Sequence, residues 1–591
     1  MCGIFAYIGK NNRAGDIAFN GLRRLEYRGY DSWGIAVLTK KGLVIKKKRG
    51  KISEAAPVLP ASNTSVAHTR WATHGKVSDK NAHPLFSSQK DFCLVHNGIV
   101  ENFAELKKNL VKTYKFSTQT DTEVIVKLIE EEQKKKQPSS EAIRKAFIKL
   151  QGRNTIIVLC NNGDLFAVRN GSPLVIGFNL KTKELFFSSD ALSFAQLATQ
   201  MHVVRNGQMA SYFQQSGTLE FYDLVTKAKI PLAWEKMDFV SAEVSHQGFG
   251  HYMIKEINES PWVIRQLLKT KRSDFYKLTR QIRLAKNVYT IGAGTAGVAA
   301  AQIGFYLRKY AHRNTISLVA ADADEYLPLM TKRDLVICPS QSGETADLLE
   351  FLEKAKKTGI KIVSLVNMPG STLTRISNFR FMNQAGPEIA VMSTKVFTSQ
   401  IAWGYLLAKT VQKQFFQGKK NLRKTADLLE KMLQDKRWLR KIKRIADLLS
   451  LKKSIFLLGK SENLQIVKEG MIKMIEGSYI HAQAIPAGDL KHYAITLMEK
   501  NTPVVCVIPA NYLQSDVLNS VNEIKTRGAL VIAITPVKHE AFDEYIKLPV
   551  VEETTAILNV LPLQLLAYYL ALSLGHNVDK PRNIAKSVTV K

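Results

Sequence analysis

A cysteine stands second in the chain, in the opening sequence Met1-Cys2-Gly3-Ile4. We expect Met1 to be removed, because the Cys2 side chain is small, and Cys2 would then be the terminal residue. A terminal α-amine titrates near neutrality, at about 7.7 to 8.0, and can take the thiol proton directly or through water. Cys2 would therefore be a nucleophile that carries its own base.

Polar residues that could complete a reaction at Cys2 occur in three short clusters, Arg28–Ser32, His68–Gly75 and His96–Gly98, each beside a predicted strand. Release of ammonia from a carboxamide needs a nucleophile, a site for the oxyanion and a clamp for the amino-acid head group. The Asn97 side chain and the Gly98 N–H can stabilise the oxyanion, a contribution of about 3 to 4 kcal/mol per donor.

A second candidate site is the stretch Ser340-Gln341-Ser342-Gly343-Glu344-Thr345, at a predicted strand-to-helix junction. Its hydroxyl groups and the helix N-terminus can bind an anion, and a phosphate group fits. The alternative is a plain helix cap, although a cap needs only one hydroxyl.

A third motif, Gly292–Gly297, reads G-x-G-x-x-G between a predicted strand and a predicted helix, with Asp322 and Asp324 further along the chain. This pattern is also typical of dinucleotide-binding folds. Nicotinamide binding is therefore an alternative function for the second half.

The hydrophobic periodicity of the sequence predicts the strands and helices that position these residues. Up to residue 235, β-rich runs alternate with two helices, Ala14–Tyr27 and Asp121–Glu132, which predicts stacked antiparallel sheets flanked by helices. After a linker at 236–255, β-rich runs alternate with long amphipathic helices, which predicts parallel doubly wound sheets.

The second half also repeats itself. A strand, loop and helix separate residues 334 and 359 and again residues 503 and 528, an interval of 25 in both cases. Two copies of one α/β module are therefore predicted. The second copy has Pro509-Ala510-Asn511-Tyr512 where the first has its hydroxyl-rich loop, so one phosphate site per chain is expected.

Composition narrows the class of protein. The 591 residues carry a formal net charge of +33, but the lysines are spread along the chain, which predicts a solvated basic surface, not a nucleic-acid site. Five widely spaced cysteines indicate buried thiols in a reducing compartment. The sequence has no signal peptide pattern and no uninterrupted apolar run of about 18 residues, so cytoplasmic location without membrane attachment is expected.

Six motifs of the first half resemble the glutaminase domain of class II (N-terminal nucleophile) glutamine amidotransferases. They stand at residues 2–4, 25–32, 68–75, 81–84, 96–99 and 120–123. The resemblance implies an αββα sandwich in which Arg70 grips the α-carboxylate of glutamine and Asp121 holds its α-ammonium. It also implies that Trp71, Thr73 and His74 belong to a loop closing over the site, and that Arg28 shields Cys2.

The second half resembles a pair of sugar isomerase (SIS) modules. The motifs are the first turn 292–297, the loop 340–345, and the stretches 388–395, 469–481, 487–492 and 579–590. Nearly the whole chain is thus similar to the isomerising glutamine:fructose-6-phosphate amidotransferases. The sequence departs from their pattern at Ala296, Gln483 and Tyr493-Ala494.

The resemblance implies roles in sugar chemistry. Lys473 and Glu476, three residues apart on one helix face, would serve the proton transfer, with Glu476 as the base. His492 would open the sugar ring, and Lys586 would form a Schiff base with the sugar carbonyl. The implied sugar-phosphate ligands are Thr295, Ser340, Gln341, Ser342, Thr345, Val391 and Ser393.

The sequence therefore predicts domains at 1–235, 256–425 and 426–570, with a tail at 571–591 that completes the sugar site. Expected substrates are glutamine and fructose 6-phosphate, without metal or cofactor, in a homodimer. Two alternatives remain: another class II amidotransferase, which would need a phosphoribosyl-diphosphate or ATP-pyrophosphatase motif, and a sugar-phosphate-sensing regulator without turnover, which would not need Cys2.

Overall fold

The computed structural model describes residues 2–237 and 246–588. It divides into one unit of Met1–Ala242 with Ala585–Lys591 and a second unit of Glu243–Ile584. Part of the predicted linker, residues 238–245, lies outside the described residues, as do Met1 and residues 589–591 at the end of the predicted tail. The C-terminal end of the predicted linker, from Tyr252 onward, is helical.

The first unit contains four α-helices and fifteen strands within the described residues. The helices are α1 (Ala14–Leu25), α2 (Phe103–Leu110), α3 (Thr122–Gln133) and α4 (Ser139–Ile148). The strands are β1 (Gly3–Ile8), β2 (Ser32–Thr39), β3 (Gly42–Arg49), β4 (Thr64–Arg70), β5 (Leu85–Phe86), β6 (Phe92–Gly98), β7 (Asn154–Cys160), β8 (Leu165–Asn170), β9 (Val175–Phe178), β10 (Leu185–Ser188), β11 (Gln200–Val203), β12 (Gln208–Phe213), β13 (Thr218–Asp223), β14 (Lys229–Ile230) and β15 (Glu235–Lys236).

These strands form two sheets, in the orders β15-β11-β9-β10-β1-β4-β2-β3 and β14-β13-β12-β8-β7-β6-β5. One apolar core lies between the two sheets, a second lies between the first sheet and α1, and a third lies between the second sheet and α3 with α4. The four layers are the αββα sandwich that the sequence predicts.

Strand β1 shows why the layers form. Ile4, Ala6 and Ile8 point into the core between the sheets, whereas Phe5 and Tyr7 pack toward α1. Because successive side chains of a strand point to opposite faces, an unbroken apolar run buries both faces. β1 is therefore a central strand, which fixes Cys2 at the end of a buried element.

The second unit contains twelve α-helices and ten strands within the described residues. The helices are α5 (Tyr252–Asn258), α6 (Ser260–Leu267), α7 (Arg272–Leu284), α8 (Gly294–Ala311), α9 (Ala346–Lys357), α10 (Thr372–Ile376), α11 (Lys395–Val411), α12 (Phe415–Gln434), α13 (Lys436–Leu449), α14 (Leu464–Ser478), α15 (Gln514–Thr526) and α16 (Thr555–Ser573). The strands are β16 (Val288–Gly292), β17 (Thr315–Val319), β18 (Leu335–Ser340), β19 (Lys361–Val366), β20 (Phe379–Met382), β21 (Ser454–Gly459), β22 (His481–Pro486), β23 (Pro503–Val507), β24 (Leu530–Thr535) and β25 (Glu544–Lys547).

The predicted repeat is visible in the topology. The two sheets have the orders β17-β16-β18-β19-β20 and β22-β21-β23-β24-β25, which are the same order in successive modules. All strand pairs in both sheets are parallel. The doubly wound α/β prediction is confirmed for both copies.

Some details differ from the sequence-based expectation. The first predicted helix ends at Leu25 and continues as a 3-10 turn over Glu26–Arg28. α16 is long and apolar enough to cross a membrane by length and composition, but 89% of its apolar window is buried. It packs against α13 and α14 as a core helix. The four cysteines after Cys2 are buried on strands, as predicted.

Candidate active site

Cys2 lies immediately before β1 in the first unit. Its Sγ accepts a hydrogen bond from the Trp71 N–H at 3.2 Å, and its carbonyl oxygen accepts bonds from Asn97 Nδ2 at 3.2 Å and Arg28 Nε at 3.3 Å. Burial raises the pKa of the Cys2 thiol, although the Trp71 amide and the Arg70 charge act in the opposite direction. Since the thiolate is the nucleophilic form, attack by Cys2 requires a base.

The end of β6 brings Asn97 and Gly98 to Cys2. Asn97 Oδ1 is buried and has no hydrogen-bond partner among the described residues, while its Nδ2 donates to the Cys2 carbonyl. Gly98 has a φ of +143°, and a Cβ there would lie 2.4 Å from the Arg153 carbonyl oxygen. Only glycine fits this position, because both the backbone angle and the neighbouring strand exclude a side chain.

Two buried charged side chains stand near the thiol. Arg70 ends β4; its Nη2 donates to the His74 carbonyl, while its Nη1 is buried without a hydrogen-bond partner among residues 2–237 and 246–588. Asp121 precedes α3 and accepts a bond from the Val100 N–H at 2.9 Å. A buried guanidinium N–H that lacks a partner is suited to bind a carboxylate.

The loop after Arg70 covers Cys2 from one side. Trp71 packs edge-on against Tyr30 at 5.6 Å, and the Ala72 N–H donates to Asp31 at 2.8 Å. His74 packs against Phe103 at 5.9 Å. Thr73, the remaining predicted member of this loop, is exposed to solvent.

A network that the sequence analysis missed joins the end of β6 to α3. His96 Nε2 is 2.9 Å from Asn154 Oδ1, and His96 Nδ1 is 2.9 Å from Thr122 Oγ1. Asn154 Nδ2 donates to the Gln151 carbonyl, so Oδ1 is the atom that faces the ring and His96 Nε2 must carry the proton. Burial lowers the pKa of His96. The neutral ring thus connects the residue before Asn97 to the residue after Asp121.

In the second unit, two candidate sugar-phosphate loops follow neighbouring strands. Thr295 lies in the first turn of α8 after β16, and Ser340 ends β18, which pairs with β16. The carboxyl ends of parallel strands meet at one edge of a sheet, where ligands bind in this class of fold. The structure therefore brings the G-x-G-x-x-G turn and the hydroxyl-rich loop to the same edge.

The loop between β18 and α9 is shaped by its own hydrogen bonds. Ser340 Oγ accepts from the Gly343 N–H at 2.9 Å, and Ser342 Oγ accepts from the Glu344 N–H at 3.2 Å. The Gln341 carbonyl accepts from the backbone that follows β19. Thr345 occupies the N-cap position of α9, but its side chain makes no capping hydrogen bond. The helix-cap alternative therefore does not account for the Thr345 hydroxyl.

A face of α14 carries three charged groups. Lys473 Nζ is 2.5 Å from Glu476 Oε2 and 3.7 Å from Glu469 Oε1, and Glu469 also accepts a bond from Thr295 Oγ1 at 3.4 Å. Burial raises the pKa of Glu469 to about 8, although attraction to Lys473 opposes the shift. Burial disfavours the Lys473 charge, but the two glutamates more than compensate, so the pKa of Lys473 is raised.

Sequence reasoning assigned Lys473 and Glu476 but no role to Glu469. The spacing of residues 469, 473 and 476 places all three on one helix face, and that signal was available. The contact of Glu469 with Thr295 could not be predicted from the sequence, because it joins the first module to the second.

The predicted ligands Val391 and Ser393 lie just before α11. The Val391 N–H donates to the Asp579 carbonyl at 2.9 Å, and Ser393 Oγ donates to Glu388 Oε2 at 2.9 Å. A Cβ at Gly477 would lie 3.3 Å from Met392, so this segment packs against the end of α14 that carries Glu476.

The other two predicted catalytic residues are less enclosed. His492 ends the 3-10 turn Ala487–His492 and is exposed. Lys586 is half-buried and belongs to the first unit, in the segment Ala585–Lys591.

Family models match both halves of the chain. A glutamine amidotransferase domain model matches residues 68–196, and an SIS domain model matches residues 281–410 and 448–574. The second half is also similar to a solved structure, the C-terminal domain of glucosamine-fructose-6-phosphate aminotransferase from Francisella tularensis. That structure has 30% sequence identity and a TM-score of 0.54, and the match covers 57% of this chain and 99% of the other.

Three full-length relatives carry the same name. Glutamine–fructose-6-phosphate aminotransferase (isomerizing) from Geobacillus kaustophilus is 35% identical over 616 residues, and those from Thermococcus kodakarensis and Aquifex aeolicus are each 36% identical, over 610 and 607 residues. In all three cases the match covers 100% of this chain and 100% of the relative. The chain therefore belongs to the glutamine–fructose-6-phosphate aminotransferase (isomerizing) family.

Proposed function

We propose that this chain converts fructose 6-phosphate and glutamine into glucosamine 6-phosphate and glutamate, the first step of amino-sugar biosynthesis. The observation that carries the proposal is the buried, unpartnered Arg70 Nη1 in the unit that contains Cys2, in a chain whose relatives match over their whole length. A regulator without turnover would have no need of a thiol with a carboxylate-binding group beside it.

At the glutaminase site, Cys2 attacks the amide carbon of glutamine. The oxyanion that forms is stabilised by the Asn97 amide and the Gly98 N–H, for which Asn97 Nδ2 must turn from the Cys2 carbonyl. Arg70 binds the α-carboxylate and Asp121 the α-ammonium. The C–N bond then breaks, ammonia leaves with the thiol proton, and water hydrolyses the thioester to glutamate.

Trp71, Thr73 and His74 form the loop that closes over bound glutamine, and Arg28 shields Cys2. The hydrogen bond from the Trp71 N–H to Cys2 Sγ supports this assignment, because a shift of the loop would change the environment of the thiol. The neutral His96 ring holds Asn97, which stabilises the oxyanion, and Asp121, which binds the ammonium, in fixed positions relative to each other.

At the sugar site, the loop Ser340–Thr345 and Thr295 bind the phosphate, with Val391 and Ser393 beside the sugar. His492 opens the ring, and Lys586 forms a Schiff base at the C2 carbonyl, which ammonia displaces. Glu476, paired with Lys473, then transfers a proton from C1 to C2, which converts the ketose skeleton to the aldose. Ammonia is transferred internally, since free ammonia is mostly ammonium at neutral pH.

We propose domains at 1–235, 256–425 and 426–570, a linker at 236–255 and a tail at 571–591 that completes the sugar site. The first boundary falls within β15, and the boundary at residue 425 falls within α12, so the two SIS modules are joined by one continuous helix. The family-model match at 281–410 lies inside the first proposed SIS domain, whereas the match at 448–574 runs from within the second into the first residues of the proposed tail.

The proposed working form is a cytoplasmic homodimer that binds no nucleic acid or membrane and needs no cofactor. The dispersed positive charge would favour the approach of anionic sugar phosphates. Sedimentation of the purified protein would test the dimer, and a monomer that retains full activity would contradict it.

The phosphate assignment predicts the effect of Thr345→Ala. Loss of a hydrogen bond to a charged group costs about 1.5 to 3 kcal/mol, so the KM for fructose 6-phosphate should rise on the order of ten- to a hundredfold. The KM for glutamine should stay unchanged. Ser342→Ala should act in the same direction, with an added loss of the bond to the Glu344 N–H.

A matched control is Asp435→Ala, which removes a true helix cap in the same unit. Asp435 accepts bonds from the Arg437 and Trp438 N–H groups, so its loss should cost about 1 kcal/mol of stability and leave both KM values unchanged. If the KM for fructose 6-phosphate is unchanged in Thr345→Ala and Ser342→Ala, the loop does not bind phosphate and its role is only structural.

A further inference from the structure

The two SIS modules can be aligned residue by residue, and the alignment includes their first turns, which follow β16 and β21. Gly292 and Gly459 end equivalent strands, and Gly294 and Ser461 have φ angles of +53° and +55°. A Cβ would lie 2.5 Å from the Ala296 carbonyl oxygen at Gly292 and 2.6 Å from the Asn463 carbonyl oxygen at Gly459. One offset of 167 residues relates all three pairs (292 to 459, 294 to 461 and 296 to 463).

This alignment assigns counterparts to four residues at or beside the sugar site. The turn residue Thr295 corresponds to Glu462. The charged face of α14 corresponds to a face of α8, in which the counterparts of Glu469, Lys473 and Glu476 are Gln302, Tyr306 and Lys309. The first turn of the second module and the face of α8 in the first module thus repeat the arrangement with different chemical groups.

The contacts at the two positions are reciprocal. In the first, Thr295 of module one bonds Glu469 on α14 of module two at 3.4 Å. In the second, Glu462 of module two pairs with Lys309 on α8 of module one at 2.8 Å. Each module therefore completes the first turn of the other.

Glu462 also reaches the loop that corresponds to the phosphate loop. The Asn511 side chain donates to Glu462 Oε1 at 3.3 Å, and Asn511 stands in the stretch that replaces Ser340–Thr345. Glu462 is only 1% exposed. A buried carboxylate thus spans the first turn and the following loop, the two elements that a bound phosphate would span in module one.

We propose that Glu462 closes a second, degenerate sugar-phosphate site, its carboxylate taking the place of the ligand's phosphate. The pair with Lys309 neutralises this carboxylate and joins the two modules. The inference rests on the proposed function, because it takes the position of phosphate in module one as its reference. It implies that removal of the carboxylate exposes a site for a small oxyanion at Lys309 and Asn511.

Glu462→Ala tests the proposal, with inorganic phosphate as the probe, because alanine removes the carboxylate and vacates the space that it fills. The melting temperature of the full chain should fall in phosphate-free buffer, because Lys309 loses its partner. Its rise with added phosphate should be at least about twice that of the wild type, since a ligand that binds only the folded state stabilises it. The double variant Lys309→Met/Glu462→Ala should return to the wild-type phosphate response, because it lacks the cation that would bind phosphate.

Glu553→Ala is the matched control, because it breaks another lysine–glutamate ion pair in the same unit, with Lys409 at 3.0 Å. It should lower the melting temperature without changing the phosphate response. A phosphate response of Glu462→Ala equal to that of Glu553→Ala would overturn the proposal. If Glu462→Ala does not fold, the double variant should fold, and failure of both would also overturn it.

Calorimetry with fructose 6-phosphate separates this inference from the function on which it rests. The wild type should bind one molecule per chain. Absence of binding in every variant would contradict the proposed function, whereas normal sugar binding without the added phosphate response would contradict only the role of Glu462.

Discussion

Cys2→Ala is expected to abolish glutamine-dependent synthesis of glucosamine 6-phosphate. Cys2 supplies the sulfur atom of the proposed thioester, so its loss should lower the rate of glutamate release by at least about a thousandfold. Synthesis from high concentrations of ammonium salts should continue at least in part, because the proposed sugar-site residues other than Lys586 belong to a different unit. Both activities are measured as glucosamine 6-phosphate formed, with glutamine or ammonium as the nitrogen source.

Cys160→Ala is the control for this variant. Cys160 is a buried thiol on β7 of the same unit, and its removal should leave glutamine-dependent synthesis intact. If folded Cys2→Ala protein retained glutamine-dependent synthesis, the nucleophile would be misassigned. If it lost the ammonium-dependent reaction as well, the two sites would not be separable.

Lys586→Arg and Glu476→Gln are expected to stop the sugar reaction at different steps. Lys586→Arg should form no Schiff base, so borohydride with fructose 6-phosphate should no longer label the protein. Glu476→Gln should keep the label on the Lys586 peptide but lose about 10² to 10⁴ in turnover, the usual contribution of a positioned base. Peptide mapping after reduction and steady-state assays give the two readouts.

An exposed glutamate of the second module provides the comparison. Glu540→Gln should change neither labelling nor turnover, because Glu540 lies at the surface. Labelling at Lys473, together with normal turnover of Lys586→Arg, would show that the assignment of the Schiff base to Lys586 is wrong. Loss of label in Glu476→Gln would mean that Glu476 acts before the Schiff base forms.

Much of the fold could be predicted because its signals are local. The β-rich runs of the sequence predict strands at Ile4–Ile8 and Asp91–His96, and the structure has them at Gly3–Ile8 and Phe92–Gly98. The module repeat was also predictable, since strand, loop and helix recur at the same spacing. Its full extent became clear only from the shared sheet order and from the matching φ angles of Gly294 and Ser461.

The contacts within the sites could not be predicted, because they join residues far apart in the chain. The pairing of Thr295 with Glu469 spans 174 residues, and that of His96 with Asn154 spans 58. Burial then alters the chemistry, as in the raised pKa of Glu469. Gly98 shows a different limit, since the sequence assigns its N–H to the oxyanion but does not reveal the Arg153 carbonyl that excludes a side chain there.

The most direct test of the central claim follows the amide nitrogen. The wild type receives glutamine labelled with ¹⁵N at the amide, fructose 6-phosphate and excess unlabelled ammonium. Internal transfer predicts glucosamine 6-phosphate that carries ¹⁵N at nearly the enrichment of the glutamine, with one glutamate formed per amino sugar. Product labelled at the isotope ratio of the bulk ammonium, or glutamate formed without amino sugar, would contradict it.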